Sequence, residues 1–179
     1  IRLMFDEAAE GYECFQDVVA EFPTKPLAAQ PRGARMLYSS GTTGRPKGIK
    51  PPLDGSDIST PDIVGASVVG GIFGIGPEHT YLSPAPLYHS APLGFTTGTQ
   101  AMGGTVVVME KFDPIEALVC IEKYKVTHSQ WVPTMFSRML KLPPEERTRH
   151  DLSSHQVAIH AAAPCPTAVK QEMLNWWGP

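Results

Sequence analysis

The chain is 179 residues long, enough for one packed domain, or one domain with part of another. Apolar residues make up 42% and charged residues 18%, which excludes a disordered chain, and a net charge of −3 excludes a broad electrostatic footprint for nucleic acid. Sixteen glycines and eighteen prolines argue for many short connections, as in an α/β domain and unlike a helical bundle. Cys14, Cys120 and Cys165 lie far apart without CxxC spacing, so neither a disulfide framework nor a zinc site is predicted, and a reducing, cytoplasmic setting is expected. The longest apolar run, residues 63–76, is glycine-rich and too short to span a bilayer, and no signal-peptide pattern opens the chain. A start at Ile1 and an end on "NWWGP" give the chain the aspect of a piece of a longer protein, or of a proteolytic core.

In chain order, residues 7–22 have apolar positions at roughly helical spacing, and Pro23 stops them. Residues 34–40 read as a short buried strand. A Gly-rich stretch follows, and Pro51 and Pro52 forbid a helix directly after it. Thr60, Pro61 and Asp62 signal a helix start, with the helix running to about Ile75. Residues 80–86 predict a strand leading into a loop, residues 90–101 a helix, and residues 104–110, with three consecutive valines, a strand. Asp113-Pro114 caps a helix over 113–125. A strand over 126–133 ends at Pro133, followed by a short helix over 134–142. Residues 141–154 read as a charged surface loop in which His150-Asp151 is a cap and not a catalytic dyad. The last strand lies in 155–166 and the last helix in 167–177. The alternation predicts an α/β fold: a mostly parallel sheet flanked by helices, with ligands gathering at the carboxyl ends of its strands.

The densest signal is "YSSGTTGRPKG", residues 38–48. Glycines let backbone N–H groups approach an anion, Ser39, Ser40, Thr42 and Thr43 add hydroxyls, and Arg45 and Lys47 add positive charge. This combination suits a polyphosphate. The P-loop pattern GxxxxGK[ST] fails: from Gly41 it needs Gly and Ser or Thr where Pro46 and Gly48 stand, and no helix can follow at once. Composition alone leaves a flexible surface hairpin equally open.

The full string resembles the phosphate-binding signature of the adenylate-forming superfamily (acyl- and aryl-CoA ligases, adenylation domains, beetle luciferases), [YF]-[ST]-S-G-[ST]-T-G-x-P-K-G, at every position. "PAPLYHSAPLGF" (84–95) resembles the family's P-L-[FY]-H segment. "GTVVVMEKFDPIEAL" and "VTHSQWVPTMFSRML" resemble its following strand–helix stretches, and "HAAAPCP" its [ST]-G-[GA]-A-P-L loop.

The resemblance implies residues 1–33 as an N-terminal helix and linker, and 34–179 as a fragment of the AMP-binding large domain, without the small C-terminal domain. It implies an enzyme that joins a carboxylic acid, fatty or otherwise acyl, to ATP·Mg2+ as acyl-adenylate, and then to coenzyme A. Ser39, Ser40, Gly41, Thr42, Thr43, Gly44 and Lys47 would hold the ATP phosphates, His89 and Gly94 would wall the acyl pocket, and Ala162, Ala163 and Pro164 would lie beside adenine. No residue of this stretch is assigned to catalysis or to a metal. The Mg2+-binding glutamate, the ribose-binding aspartate, the hinge and the adenylation lysine would follow Pro179, so the isolated chain is expected to be inactive. Two departures stand out: His160 and Ala161 replace the usual hydroxyl and glycine, and Cys165 the usual leucine, read here as an inert hydrophobe. Alternatives are a carrier-protein-loading adenylation domain and a nucleotide-binding module without catalysis. Against the first, no acidic residue lies between Leu87 and Met109 to bind an α-amine.

Overall fold

The computed structural model describes residues 1–5, 9–39, 45–60 and 67–179. It divides into two compact units, Ile1–Thr60 and Pro61–Pro179.

In the first unit β1 (Leu3–Met4) pairs in parallel with β2 (Glu13–Cys14), and α1 (Phe15–Ala20) follows directly. The helix expected over 7–22 is therefore shorter. Gly11 sits at φ +78° and Cys14 is extended, so helical backbone begins only at Phe15; residues 6–8 of that expectation lie outside the described residues. β3 (Leu37–Ser39) and β4 (Lys47–Ile49) form an antiparallel ribbon, with Leu37 opposite Ile49, Tyr38 opposite Gly48 and Ser39 opposite Lys47. The strand expected to be buried is exposed instead: Leu37, Ile49 and, at 68%, Tyr38 all meet solvent in this chain. A two-stranded ribbon has no second layer of its own to cover its apolar side chains.

The second unit is a sheet between two helical layers. β5 (Thr80–Ser83), β6 (Thr105–Val108), β7 (His128–Trp131) and β8 (Val157–His160) run parallel in the order β6-β5-β7-β8. α2 (Ser90–Ala101) joins β5 to β6, and α3 (Pro114–Lys123) joins β6 to β7. α4 (Pro133–Leu140) and the short α5 (Pro144–Thr148) join β7 to β8, and α6 (Thr167–Trp177) closes the chain. All four strands, and helices α2, α3, α4 and α6, fall where the sequence places them. α5 is a correction: its stretch reads as a loop because of Pro143 and Pro144, yet Pro144 stands at the first helical position and Glu145 and Glu146 in the first turn, both favourable at a helix start. Of the helix expected to run to Ile75, residues 61–66 lie outside the described residues. Its remainder is a π-helical turn, Ser67–Ile72, that ends before Gly74 at φ +70°.

Registered neighbours point to one face, so Tyr81, Val106 and His128 share one side of the sheet and Leu82, Val107 and Ser129 the other. On the first side Val69, Ile75 and Tyr81 form a core with Phe73, Phe95 and Met102 against it. Gly98 lets α2 approach here: a Cβ on it would stand 2.5 Å from Val69 Cγ2. On the other side Leu82, Leu118, Ile121, Trp131, Met135, Phe136 and Met139 bury themselves under α3, α4 and α6, with Cys165 packed against them. Trp131 is fully buried.

α3 owes its start to Asp113, whose carboxylate accepts from Ile115 N at 2.9 Å and Glu116 N at 3.0 Å. Replacing such a cap by alanine costs about 1 kcal/mol. Asp113→Ala is expected to lower unfolding stability by about that much and Asp113→Asn by far less, measured by urea denaturation.

Candidate functional site

The predicted phosphate-binding residues fall on the β3–β4 ribbon and its connection. Ser39 ends one strand and Lys47 opens the other, directly opposite in register. The Lys47 side chain is exposed, while Ser40, Gly41, Thr42, Thr43 and Gly44 lie outside the described residues. The segment thus enters and leaves on paired antiparallel strands with no helix following, as Pro46 and the failed P-loop register require. A Cβ on Gly48 would meet the flexible end of the exposed Met36, which can move aside, and the Tyr38 ring at 3.2 Å.

The chain on either side of the ribbon is stitched together. Arg32 N donates to Ser56 O at 2.7 Å, and Ile58 N to Gln30 O at 2.8 Å. The Arg32 guanidinium meets Asp54 Oδ2 at 2.6 Å and Thr60 O at 3.2 Å. Hydrogen bonds from Ser56, and then from Arg32, hold the Asp54 carboxyl below its ordinary value. Sequence reading missed this bracket, because its partners are separated by the ribbon itself.

The other candidates lie in the second unit, at the carboxyl ends of its strands. β5 leads by α2 to the strand on one side, while β7 leads by α4 and α5 to the strand on the other. The order β6-β5-β7-β8 therefore reverses between β5 and β7, where open α/β sheets leave a crevice for ligands. His89 sits on the segment leaving β5, at the N-cap of α2. It is exposed, makes no side-chain cap bond, and lies tilted against Tyr88 with ring centroids 4.4 Å apart. Gly94 is half-buried in α2, where its carbonyl lies 3.4 Å from Thr97 Oγ1. The exposed Ala162, Ala163 and Pro164 follow β8, and Ala161 N donates to Trp131 O at 3.1 Å to extend the sheet ladder into that turn. The positive φ falls on Ala162, at +71°, and not on Ala161, so the turn keeps a left-handed residue without glycine. His160 packs its ring against Phe136 at 6.2 Å.

Two residues at the reversal carry no motif. Ser83 ends β5 and Gln130 lies in β7, both on the α2 side. Ser83 Oγ and Gln130 Oε1 are buried with no hydrogen-bond partner. The signal available was a polar side chain late in an otherwise buried strand.

Beneath the opposite face, Trp131 Nε1 donates to Ser129 Oγ at 2.6 Å, and Ser129 Oγ lies 2.6 Å from His155 Nε2. The His155 ring also meets Trp177 edge-on, with ring centroids 4.9 Å apart. Asp151, as its cap reading expects, accepts from Ser153 N at 3.0 Å, and His150 Nδ1 lies 2.8 Å from Glu122 and not from Asp151.

The four-stranded parallel sheet with this reversal, flanked by helices, defines an α/β protein. The profile of the AMP-binding enzymes matches residues 3–179. The chain is 35% identical over 135 residues to "Probable CoA ligase CCL5" of Humulus lupulus, covering 73% of this chain and 23% of that protein. To the medium/long-chain-fatty-acid–CoA ligase FadD8 of Mycobacterium tuberculosis it is 32% identical over 144 residues, covering 80% and 24%. ATP-bound MatB of Rhodopseudomonas palustris shares the fold with a TM-score of 0.76 at 24% identity, over 95% of this chain and 33% of that one. The chain belongs to the AMP-binding, adenylate-forming enzyme family, and it spans about a quarter of the length of these two ligases.

Burial pushes His155 down from 6.5 to about 4. The unfolded chain then takes up that proton first, so the contribution is complete above pH 6.5 and is lost between about 6.5 and 4. His155→Gln is expected to flatten the stability–pH curve in this window relative to the parent, by about 3 kcal/mol at most, in urea unfolding series.

Proposed function

We propose that this chain is the phosphate- and adenine-binding part of an ATP-dependent acid–thiol ligase. An acid carboxylate attacks the α-phosphorus of ATP, the bond to the bridging oxygen breaks, and pyrophosphate leaves with its electron pair. The thiolate of coenzyme A then attacks the acyl carbon and AMP departs. The observation that supports this best is the complete signature over 38–48, flanked by the paired strands β3 and β4. Residues 39–44 and Lys47 offer N–H groups, hydroxyls and a cation to the charge that develops on the departing pyrophosphate. His89 and Gly94 line the acid's approach, and Ala162, Ala163 and Pro164 face the adenine, all from the carboxyl edge of the sheet. The AMP-binding region is taken to begin at residue 34.

An acyl acid, medium or long, is the proposed substrate class. The small residues of α2 support this class, with a ring as the alternative, and FadD8 is named for medium- and long-chain fatty acids. Among the described residues no three His, Cys, Asp or Glu side chains converge on a metal position, so Mg2+ is proposed only as the counter-ion of ATP and is given no ligand here. No described helix is long and apolar enough to cross a membrane, and the cysteines are free; a cytoplasmic setting belongs to the same proposal. Residues 1–179 alone are expected to lack turnover, since they span so small a share of their relatives.

ATP–pyrophosphate exchange by the whole enzyme, with fatty, aryl and amino acids in parallel, tests the reading. Exchange with fatty or aryl acids is expected, reduced about 10²–10³-fold by Lys47→Ala. Exchange with amino acids only would overturn the substrate class, and full activity of Lys47→Ala the assigned role.

A further inference from the structure

A groove of about 350 Å³ opens between α5 and α6, lined by Pro144, Arg147 and Thr148 from one helix and Glu172, Asn175 and Trp176 from the other. Both sets follow i, i+3, i+4 spacing, so each is a single helical face. The faces are tied together. Trp176 Nε1 donates to the Arg147 carbonyl at 3.1 Å, and the Arg147 guanidinium lies over the indole, 5.7 Å from its centroid. Trp176 is in the last turn of α6, while the first turn adjoins the 161–166 loop. At 1.5 Å per residue, the groove lies roughly 14 Å along the helix from the carboxyl edge.

Its polar groups are unevenly satisfied. Arg147 Nε is buried without a hydrogen-bond partner, and among the described residues no carboxylate pairs with this guanidinium; the adjacent Glu146 reaches Arg149 instead, at 3.5 Å. Gln171 Nε2 donates to Asn175 Oδ1 at 3.1 Å, which leaves the Asn175 amide N–H groups as donors. A partly desolvated guanidinium without a counter-ion is costly, and its planar fork matches a carboxylate. Glu172 adds one negative charge to the wall and disfavours a multiply charged anion.

We infer that the α5–α6 groove binds a small monocarboxylate with an apolar body, its carboxylate on Arg147 and the Asn175 amide and its body against Trp176 and Pro144. The ligand is separate from the acid activated at the carboxyl edge. In the whole enzyme, the indole N–H signal of Trp176 in 1H–15N spectra reports the groove during a titration with sodium benzoate. A saturable shift is expected, with affinity about ten-fold or more weaker in Arg147→Met. The shift should persist in Lys47→Ala, whose pyrophosphate exchange is the separate test of function. Asn175→Ala should weaken binding in the same direction, which serves if Arg147→Met disturbs the Trp131 and Trp177 signals. A Trp176 signal that does not move, or that moves with equal affinity in both groove variants, would overturn the inference. So would an equal response to inorganic phosphate.

Discussion

The second unit depends on β5 and β7 lying side by side although α2, β6 and α3 separate them in sequence. The pairing is fixed at its start by two threonines. Thr127 N and Thr127 Oγ1 both donate to Thr80 O, at 2.8 and 3.0 Å, and Thr80 N donates back to Thr127 Oγ1 at 3.1 Å. His128 extends the lock to the layer above, its Nε2 donating to Phe73 O at 2.8 Å. Once these two strands are neighbours, parallel crossovers must leave in opposite directions, and the segments after them open a crevice at the carboxyl edge. The candidate positions of His89 and of Ala162–Pro164 follow from that one adjacency.

The phosphate ribbon obeys a different constraint. It buries little, so packing does not hold its strands; backbone pairing and the bracket of Arg32 with Asp54 and Thr60 do.

Much of this was readable in advance for identifiable reasons. Asp113-Pro114 and Pro133 mark helix starts by removing or capping N–H groups that need no helical partner, and the three β-branched valines at 106–108 favour a strand, which here is the half-exposed edge strand β6. The 38–48 stretch points to a family because its residue order, and not its composition, is constrained. Other features depend on contacts between distant residues. The Arg32–Asp54 bracket, the buried Ser83 Oγ and Gln130 Oε1, and the Ser129–His155 pair have no local pattern. α5 was hidden because proline is a breaker inside a helix and a favoured residue at its first position, and only the three-dimensional setting distinguishes the two. The left-handed residue of the 161–166 turn fell one position later than the missing glycine suggested, a choice made by how the turn continues the β8 ladder.

The central proposal is that residues 39–44 and Lys47 bind the phosphates of ATP. Hydrogen–deuterium exchange of the whole enzyme, with and without Mg·ATP, tests it most directly. The account predicts marked slowing of exchange in peptides covering 38–48, together with a smaller effect over 161–166, and none in α3. Unchanged exchange over 38–48 at saturating nucleotide would contradict it.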